Sequence, residues 1–164
     1  MQCILCADGR SRSGKDYREV IFMINSQRVL NDIIKTSQMG INGINVVMDK
    51  TRQPALRQAL KVQRKEYSNI EQQAKLLAQQ KGYKIDQIKS ITRRMGAMMS
   101  RTQLLVGEPD SKIAGMMIQG NTRGMIKGLK NLHQFNKQDM QVRSLSQRLL
   151  DCENANIRQM QGFL

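Results

Sequence analysis

Apolar side chains recur every three or four residues along most of the chain, which is the period of an α-helix that buries one face. In residues 25–49 this pattern predicts a first helix, whose apolar face carries Leu30, Ile33, Ile34, Ile41, Ile44, Val47 and Met48. In residues 54–80 it predicts a second helix with a heptad-like seam, made by Leu56, Leu60, Gln63, Tyr67, Ile70, Ala74 and Leu77. Pro54 suits the first turn of this helix and Gly82 its end.

The same period predicts three more helices, over residues 85–106, 111–135 and 138–161. The segment "GEPDS" at 107–111 separates the first two of them, and Asp110 or Ser111 is expected to cap the helix that follows. The helix at 85–106 would be about 33 Å long, which is long enough to carry the chain from one end of a bundle to the other. The expected fold is therefore an all-α antiparallel bundle of about five helices, with two hairpins joined by a crossover helix.

The first 22 residues lack this period. The segment "REVIFM" at 18–23 can be encoded by codons that contain a bacterial ribosome-binding sequence at a normal distance before ATG. We therefore expect residues 1–22 to be a disordered tail or a mistranslated leader, with Met23 as the native start. Residues 23–164 then form a single domain, and Cys3 and Cys6 are not counted among its candidate functional residues.

A short polar motif occurs once in each of two predicted helices. Glu66 is followed by Asn69 and Ile70, and Glu153 is followed by Asn156 and Ile157. Glu and Asn at positions i and i+3 face the same side of a helix. Each motif lies in the second helix of a proposed hairpin, beside apolar positions, so we expect both to face the interior of the bundle.

The chain resembles the ferritin-like superfamily, and within it the small bacterial four-helix-bundle proteins of unknown function. The likeness is carried by the Glu-x-x-Asn motifs and by the segments "LNDIIKTSQMGINGI" (30–44), "TRGMIKGLKNL" (122–132) and "LLDCENANI" (149–157). In ferritin-like di-iron proteins, the second helix of each hairpin carries Glu-x-x-His and the first carries one Glu. The resemblance therefore implies a ferritin-like bundle with a degenerate metal pattern.

The departures from that pattern concern the metal ligands. Asn69 and Asn156 replace both histidines, and the first helices offer Ser37 and either Asn121 or Thr122 where a carboxylate is wanted. Two carboxylates without histidine make a poor di-iron site. The expected polar core layer consists of Glu66, Asn69, Glu153, Asn156, Ser37 and Asn121, with Tyr67 as a further hydrogen-bonding partner. The alternative is that both Glu side chains lie at the edge of the bundle and face water.

The composition excludes some classes of function but does not identify a single one. The 164 residues carry a formal charge of +14, and the basic residues are spread over most of the length. A solvated cationic surface is the preferred interpretation, and weak nonspecific contact with nucleic acid is the second. No signature of an enzyme, a cofactor, a membrane span or a secretory leader is found. His133, the single histidine, is expected at the surface near a helix end.

These observations predict a non-enzymatic cytoplasmic scaffold or interaction protein that self-associates and has no competent di-iron site and no cofactor. Two alternatives stay open. One is a basic bundle that binds nucleic acid nonspecifically, and the other is a metal-binding protein that uses Glu66 and Glu153.

Overall fold

The structure is a computed structural model that describes residues 14–85, 109–134 and 139–164. All regular secondary structure in these ranges is helical, which confirms the all-α prediction for them. The four helices are α1 (Gly14–Met48), α2 (Pro54–Gln80), α3 (Pro109–Gln134) and α4 (Met140–Gln161). The helix predicted at 85–106 lies outside the described residues except for Ile85, which is not helical.

The helices pack as two antiparallel hairpins, α1 with α2 and α3 with α4. The side chain of Arg64 donates to Asn45 (3.1 Å), and that of Gln38 donates to Glu71 (2.7 Å), so α1 and α2 run in opposite directions. In the second hairpin, residues early in α3 lie beside the end of α4 and residues late in α3 lie beside its middle. The two hairpins then pack together through α2 against α4 and α1 against α3.

Contacts at the two ends of the bundle give the direction of every helix. At one end, the Asp110 carboxylate at the start of α3 accepts the backbone N–H groups of Arg52 and Gln53, just before α2. At the other end, Asp139 before α4 pairs with Lys81 after α2 (2.8 Å), and its N–H donates to Ser26 of α1. Thus α2 ends and α3 begins at opposite ends of the bundle. The pairs α1–α2, α3–α4, α2–α4 and α1–α3 are antiparallel, whereas α1 and α4, which contact each other diagonally, run parallel.

The core follows the predicted apolar faces closely. All seven residues of the α2 seam are buried. On α1 the predicted face is buried at Leu30, Ile33, Ile34, Ile44 and Val47, while Ile41 and Met48 are partly buried. On α1 and α2 the period of apolar positions was therefore a sufficient guide to which side of the helix enters the core.

Helix α1 begins earlier than its pattern predicted, at Gly14 instead of about residue 25. Between residues 17 and 24 this helix does not pack on the bundle, since Tyr17, Val20, Ile21 and Ile24 each expose about half or more of their surface. A helix segment that buries no face shows no amphipathic period, and for that reason the pattern missed it. Whether the native protein starts at Met23 stays a prediction.

Both ends of α2 are fixed by specific backbone contacts, one at Gly82 and the other at Asp110. Gly82 has a φ of 66°, and the N–H of Tyr83 bonds back to the carbonyl of Ala78 (2.9 Å) in a Schellman turn. Asp110 or Ser111 was expected to cap α3, but the Asp110 carboxylate binds outside that helix. It instead accepts the two N–H groups before α2, where Gln53 provides no side-chain cap.

In the part of the chain that the structure describes, no helix combines the length and apolarity needed to cross a membrane.

Candidate functional site: a buried tyrosine–glutamate cluster

Three polar side chains from three helices meet in the middle of the bundle. The Tyr67 hydroxyl of α2 lies 2.5 Å from Oδ1 of Asn121 on α3 and 2.9 Å from Oε2 of Glu153 on α4. All three residues are almost completely buried, with 1–2% of their surface exposed. We call this group the Tyr67 cluster. It links α2, α3 and α4 through one hydroxyl group.

The proton positions in the Tyr67 cluster follow from the number of donors. A tyrosine hydroxyl has one hydrogen, so it cannot donate to Asn121 and Glu153 at once. Burial raises the pKa of Glu153 to about 8, although the hydrogen bond with Tyr67 lowers it in part. A protonated Glu153 donates to the Tyr67 oxygen, and Tyr67 then donates to Asn121. Burial and the Glu153 charge also raise the Tyr67 pKa well above its ordinary value of 10.0, so the phenol stays protonated.

Two glycines let the helix backbones close around this cluster. A Cβ atom on Gly40 of α1 would lie 2.6–2.8 Å from three carbons of the Tyr67 ring. A Cβ atom on Gly124 of α3 would lie 2.7 Å from the Glu153 carboxyl carbon and closer still to one of its oxygens. Real Cβ contacts are not this short. The absence of a side chain at both positions is therefore required for the Tyr67 ring and the Glu153 carboxyl group to occupy their places.

The α4 half of the predicted polar layer is buried as expected. Besides Glu153, Asn156 is 6% exposed, and its side-chain amide donates to the Cys152 sulfur at 3.6 Å. Ser37 of α1 is fully buried, and neither its hydroxyl nor the Asn121 amide nitrogen has a hydrogen-bond partner among the described residues. Asn121 thus joins the Tyr67 cluster through its oxygen alone.

The α2 half of that layer does not enter the core, which corrects the symmetric prediction. The Glu66 side chain is 45% exposed and forms a long ion pair with Arg148 (3.5 Å), and Asn69 is only partly buried. Tyr67 occupies the inward position between them in sequence. A polar residue one position away from a seam is turned by about 100° on a helix, so Glu66 reaches the surface between α2 and α4. Glu66 therefore lies at the edge of the bundle and faces water, which was the alternative expectation for both Glu side chains.

Tyr67 was predicted only as an additional hydrogen-bonding partner, yet it is the centre of the cluster. Its position in the apolar seam of α2 was the feature of the sequence that indicated its burial. A buried phenol needs a hydrogen-bond partner, and only the tertiary structure shows that the partners come from α3 and α4. A second polar contact, between the amides of Gln63 and Gln159 (2.8 Å), also joins α2 to α4.

Among the nucleophilic and titratable residues near the cluster, Cys152 is held in an unreactive form. Burial, together with the nearby Glu153 and Glu66 charges, raises its thiol pKa to about 12. Because the thiolate is the reactive form, this cysteine is a weak nucleophile at neutral pH. The predicted surface position of His133 is confirmed, since it is exposed in the last turn of α3.

Changing Tyr67 to phenylalanine should lower the free energy of unfolding by about 1–3 kcal/mol, because it leaves Asn121 and Glu153 buried without their shared partner. The matched control is Tyr83→Phe, since the Tyr83 hydroxyl makes no hydrogen bond within the described part of the chain and should cost less than about 0.5 kcal/mol. Urea denaturation at pH 6.5 measures both. Equal stability of the two variants would show that the Tyr67 hydroxyl contributes nothing.

Comparisons with known proteins do not identify the chain. A scan against protein-family models, a search of curated proteins and a search of solved structures each gave no match. Within residues 14–85, 109–134 and 139–164, no three His, Cys, Asp or Glu side chains are grouped as metal ligands would be. The site is therefore defined by its own geometry, in which the buried Tyr67 hydroxyl lies within hydrogen-bond distance of Asn121 and Glu153.

Proposed function

We propose that the protein is a non-enzymatic cytoplasmic scaffold with a ferritin-like bundle, in which the Tyr67 cluster fixes the register of the helices. In this proposal the centre of the bundle has a structural role, and function resides on the outer surface. The proposed activity is binding, first of all to further copies of the same chain.

The helix directions support the ferritin-like part of the proposal. That arrangement needs two antiparallel hairpins and one connection that returns along the bundle. Here α2 ends beside the start of α4, as the Lys81–Asp139 ion pair indicates, while α3 begins at the other end, where Asp110 binds the turn before α2. The chain between Lys84 and Pro109 therefore joins opposite ends, as that topology requires.

The proposed structural role of the Tyr67 cluster rests on one observation. The Tyr67 hydroxyl lies between Asn121 and Glu153, in a site that Gly40 and Gly124 border closely. The Tyr67 hydroxyl is shared by Asn121 Oδ1 and a Glu153 carboxyl oxygen, and a methyl group at Gly40 or Gly124 would displace the Tyr67 ring or the Glu153 carboxyl group. A network of this kind restricts the sliding of one helix on another, because a shift by one turn would leave three buried polar groups unpaired.

Self-association is supported by apolar side chains on the outside of the bundle. Val62 and Leu76 on α2 are 49% and 58% exposed, and Ile126 and Leu129 on α3 are 47% and 43% exposed. Residues 126 and 129 are one turn apart and share a face of α3. Covering these side chains with a second copy would remove apolar surface from water.

The test combines native mass spectrometry of the full chain with Fe(II) and Mn(II) titrations. We expect a defined oligomer, no saturable metal binding and no change in Tm on adding either ion. Glu66→Gln and Glu153→Gln serve as controls for the metal-binding alternative. Binding of one or two ions per chain that both variants abolish would replace the scaffold proposal by that alternative. A protein that stays monomeric at tens of micromolar would refute self-association.

A further inference from the structure

Helix α2 carries a row of basic side chains along its first three turns. Arg57, Lys61, Arg64 and Lys65 are all exposed. At 100° and 1.5 Å per residue, their Cα atoms lie within an arc of about 100° and a length of about 12 Å. We call these four residues the α2 cationic row. The stretch from Asn45 to Lys65 around it holds six lysines and arginines and a single acid, Asp49.

The charges of the α2 cationic row are not neutralised within the described structure. The Arg57 guanidinium donates to the hydroxyl and the carbonyl oxygen of Thr51 (3.2 and 2.9 Å), and that of Arg64 donates to the amide oxygen of Asn45 (3.1 Å). These acceptors are uncharged. They hold the two arginines in place and leave their positive charge available. None of the four residues pairs with a carboxylate in the described ranges.

Folding does not account for this arrangement. The N-terminus of a helix carries partial positive charge, so cations near it are unfavourable, and α2 has no acidic residue in its first turn. Like charges at i and i+4, as in the pairs Arg57–Lys61 and Lys61–Lys65, also lower helix stability. Further along α2, by contrast, Lys75 is paired with Glu71 in the stabilising i, i+4 arrangement.

We propose that the α2 cationic row binds the phosphate backbone of double-stranded nucleic acid without regard to sequence. A row about 12 Å long spans three to four phosphates, which are about 3.4 Å apart along the axis of one strand. The first three turns of α2 contain no aromatic side chain on which single-stranded bases could stack. Val62 is the one large apolar side chain exposed there, so the row lacks the apolar face of a membrane-binding helix. This inference is independent of the role of the Tyr67 cluster.

The experiment compares two variants of the full chain that lose the same charge. The first removes three residues of the row: Lys61→Gln, Arg64→Gln and Lys65→Gln. The control removes three exposed cations elsewhere that form no ion pair in the described structure: Arg123→Gln, Lys130→Gln and Arg143→Gln. Fluorescence anisotropy with two labelled 25-bp duplexes of unrelated sequence, between 50 and 300 mM salt, gives Kd and its salt dependence. Thermal melts establish that both variants fold.

The row variant should bind at least tenfold more weakly at 100 mM salt, and its slope of log K against log salt should be smaller by about 2–3, near 0.9 for each lost phosphate contact. The control should lose less than threefold. Equal losses in the two variants would overturn the proposal, because binding would then depend on net charge alone. It would also be overturned by a preference of more than tenfold between the duplexes, or by binding to phosphatidylserine vesicles with none to DNA.

Discussion

Replacing Glu153 with glutamine should remove a pH dependence of about 3–4 kcal/mol in the free energy of unfolding between pH 5 and pH 8. Glutamine has nearly the shape of a protonated glutamic acid and has no charge to bury. Its amide nitrogen can donate to the Tyr67 oxygen while Tyr67 donates to Asn121, as the protonated Glu153 does. The two proteins should therefore be similarly stable at pH 5, and the variant should be the more stable one at pH 8.

The sign follows from the raised pKa of Glu153. In the unfolded chain its carboxyl group ionises near 4.5, whereas burial moves the folded-state pKa to about 8. Between these values the folded protein holds a proton that the unfolded chain has lost. Stability consequently falls as the pH rises from about 5 through about 8, and it no longer depends on this group once the folded-state carboxyl group has also ionised.

Urea denaturation of the parent and of Glu153→Gln, at half-unit steps from pH 5 to pH 8, measures this difference. Glu66→Gln is the matched control, because the Glu66 side chain is 45% exposed and pairs only at long range with Arg148. That variant should keep the parent's pH dependence. If parent and Glu153→Gln lose stability in parallel over this range, Glu153 is not protonated in the folded protein and the proton arrangement in the Tyr67 cluster is wrong.

A methyl group on Gly40 should lower the free energy of unfolding by about 1–3 kcal/mol. Its Cβ would lie 2.6–2.8 Å from the Tyr67 ring, and the ring cannot turn away, because its hydroxyl is held by Asn121 and Glu153. Alanine is favoured over glycine in a helix by up to about 1 kcal/mol. The expected decrease in the free energy of unfolding is therefore the overpacking penalty minus this gain in helix propensity.

Glycines on α3 provide the control for this prediction. Gly120→Ala meets no atom within 4 Å, so it should raise stability by up to about 1 kcal/mol. Gly124→Ala would displace the end of the Glu153 side chain and should fall between the other two, since that group is more flexible than an aromatic ring. The order Gly120→Ala, Gly124→Ala, Gly40→Ala in decreasing Tm is the expected result. A stabilising Gly40→Ala would show that the helices α1 and α2 are further apart at Tyr67.

Much of the fold could be predicted because local periodicity reports which face of a helix is buried. The bounds of α2 and its seven-residue seam were correct, and so was the end of that helix at Gly82. The start of α1 was missed, since Tyr17, Val20 and Ile24 are exposed and produce no one-sided pattern. Gly124 and Gly128 of α3 lie against Glu153 and Leu150 of α4, so the two helices approach each other closely at these positions.

The sequence by itself determined the helical character of the described ranges, the bounds of α2, the buried faces of α1 and α2, the cationic charge and the presence of a polar group in the core. Only the tertiary structure decided that Glu153 is buried while Glu66, in the same motif, reaches Arg148 at the surface. It also decided that Asp110 binds the turn before α2 instead of capping its own helix. The physical reason is that a helix repeat fixes only the angle of a side chain around its own axis. Whether a polar residue at the edge of a buried face is enclosed depends on which atoms the neighbouring helices place beside it, and here those are the Tyr67 hydroxyl and the bare backbone of Gly124.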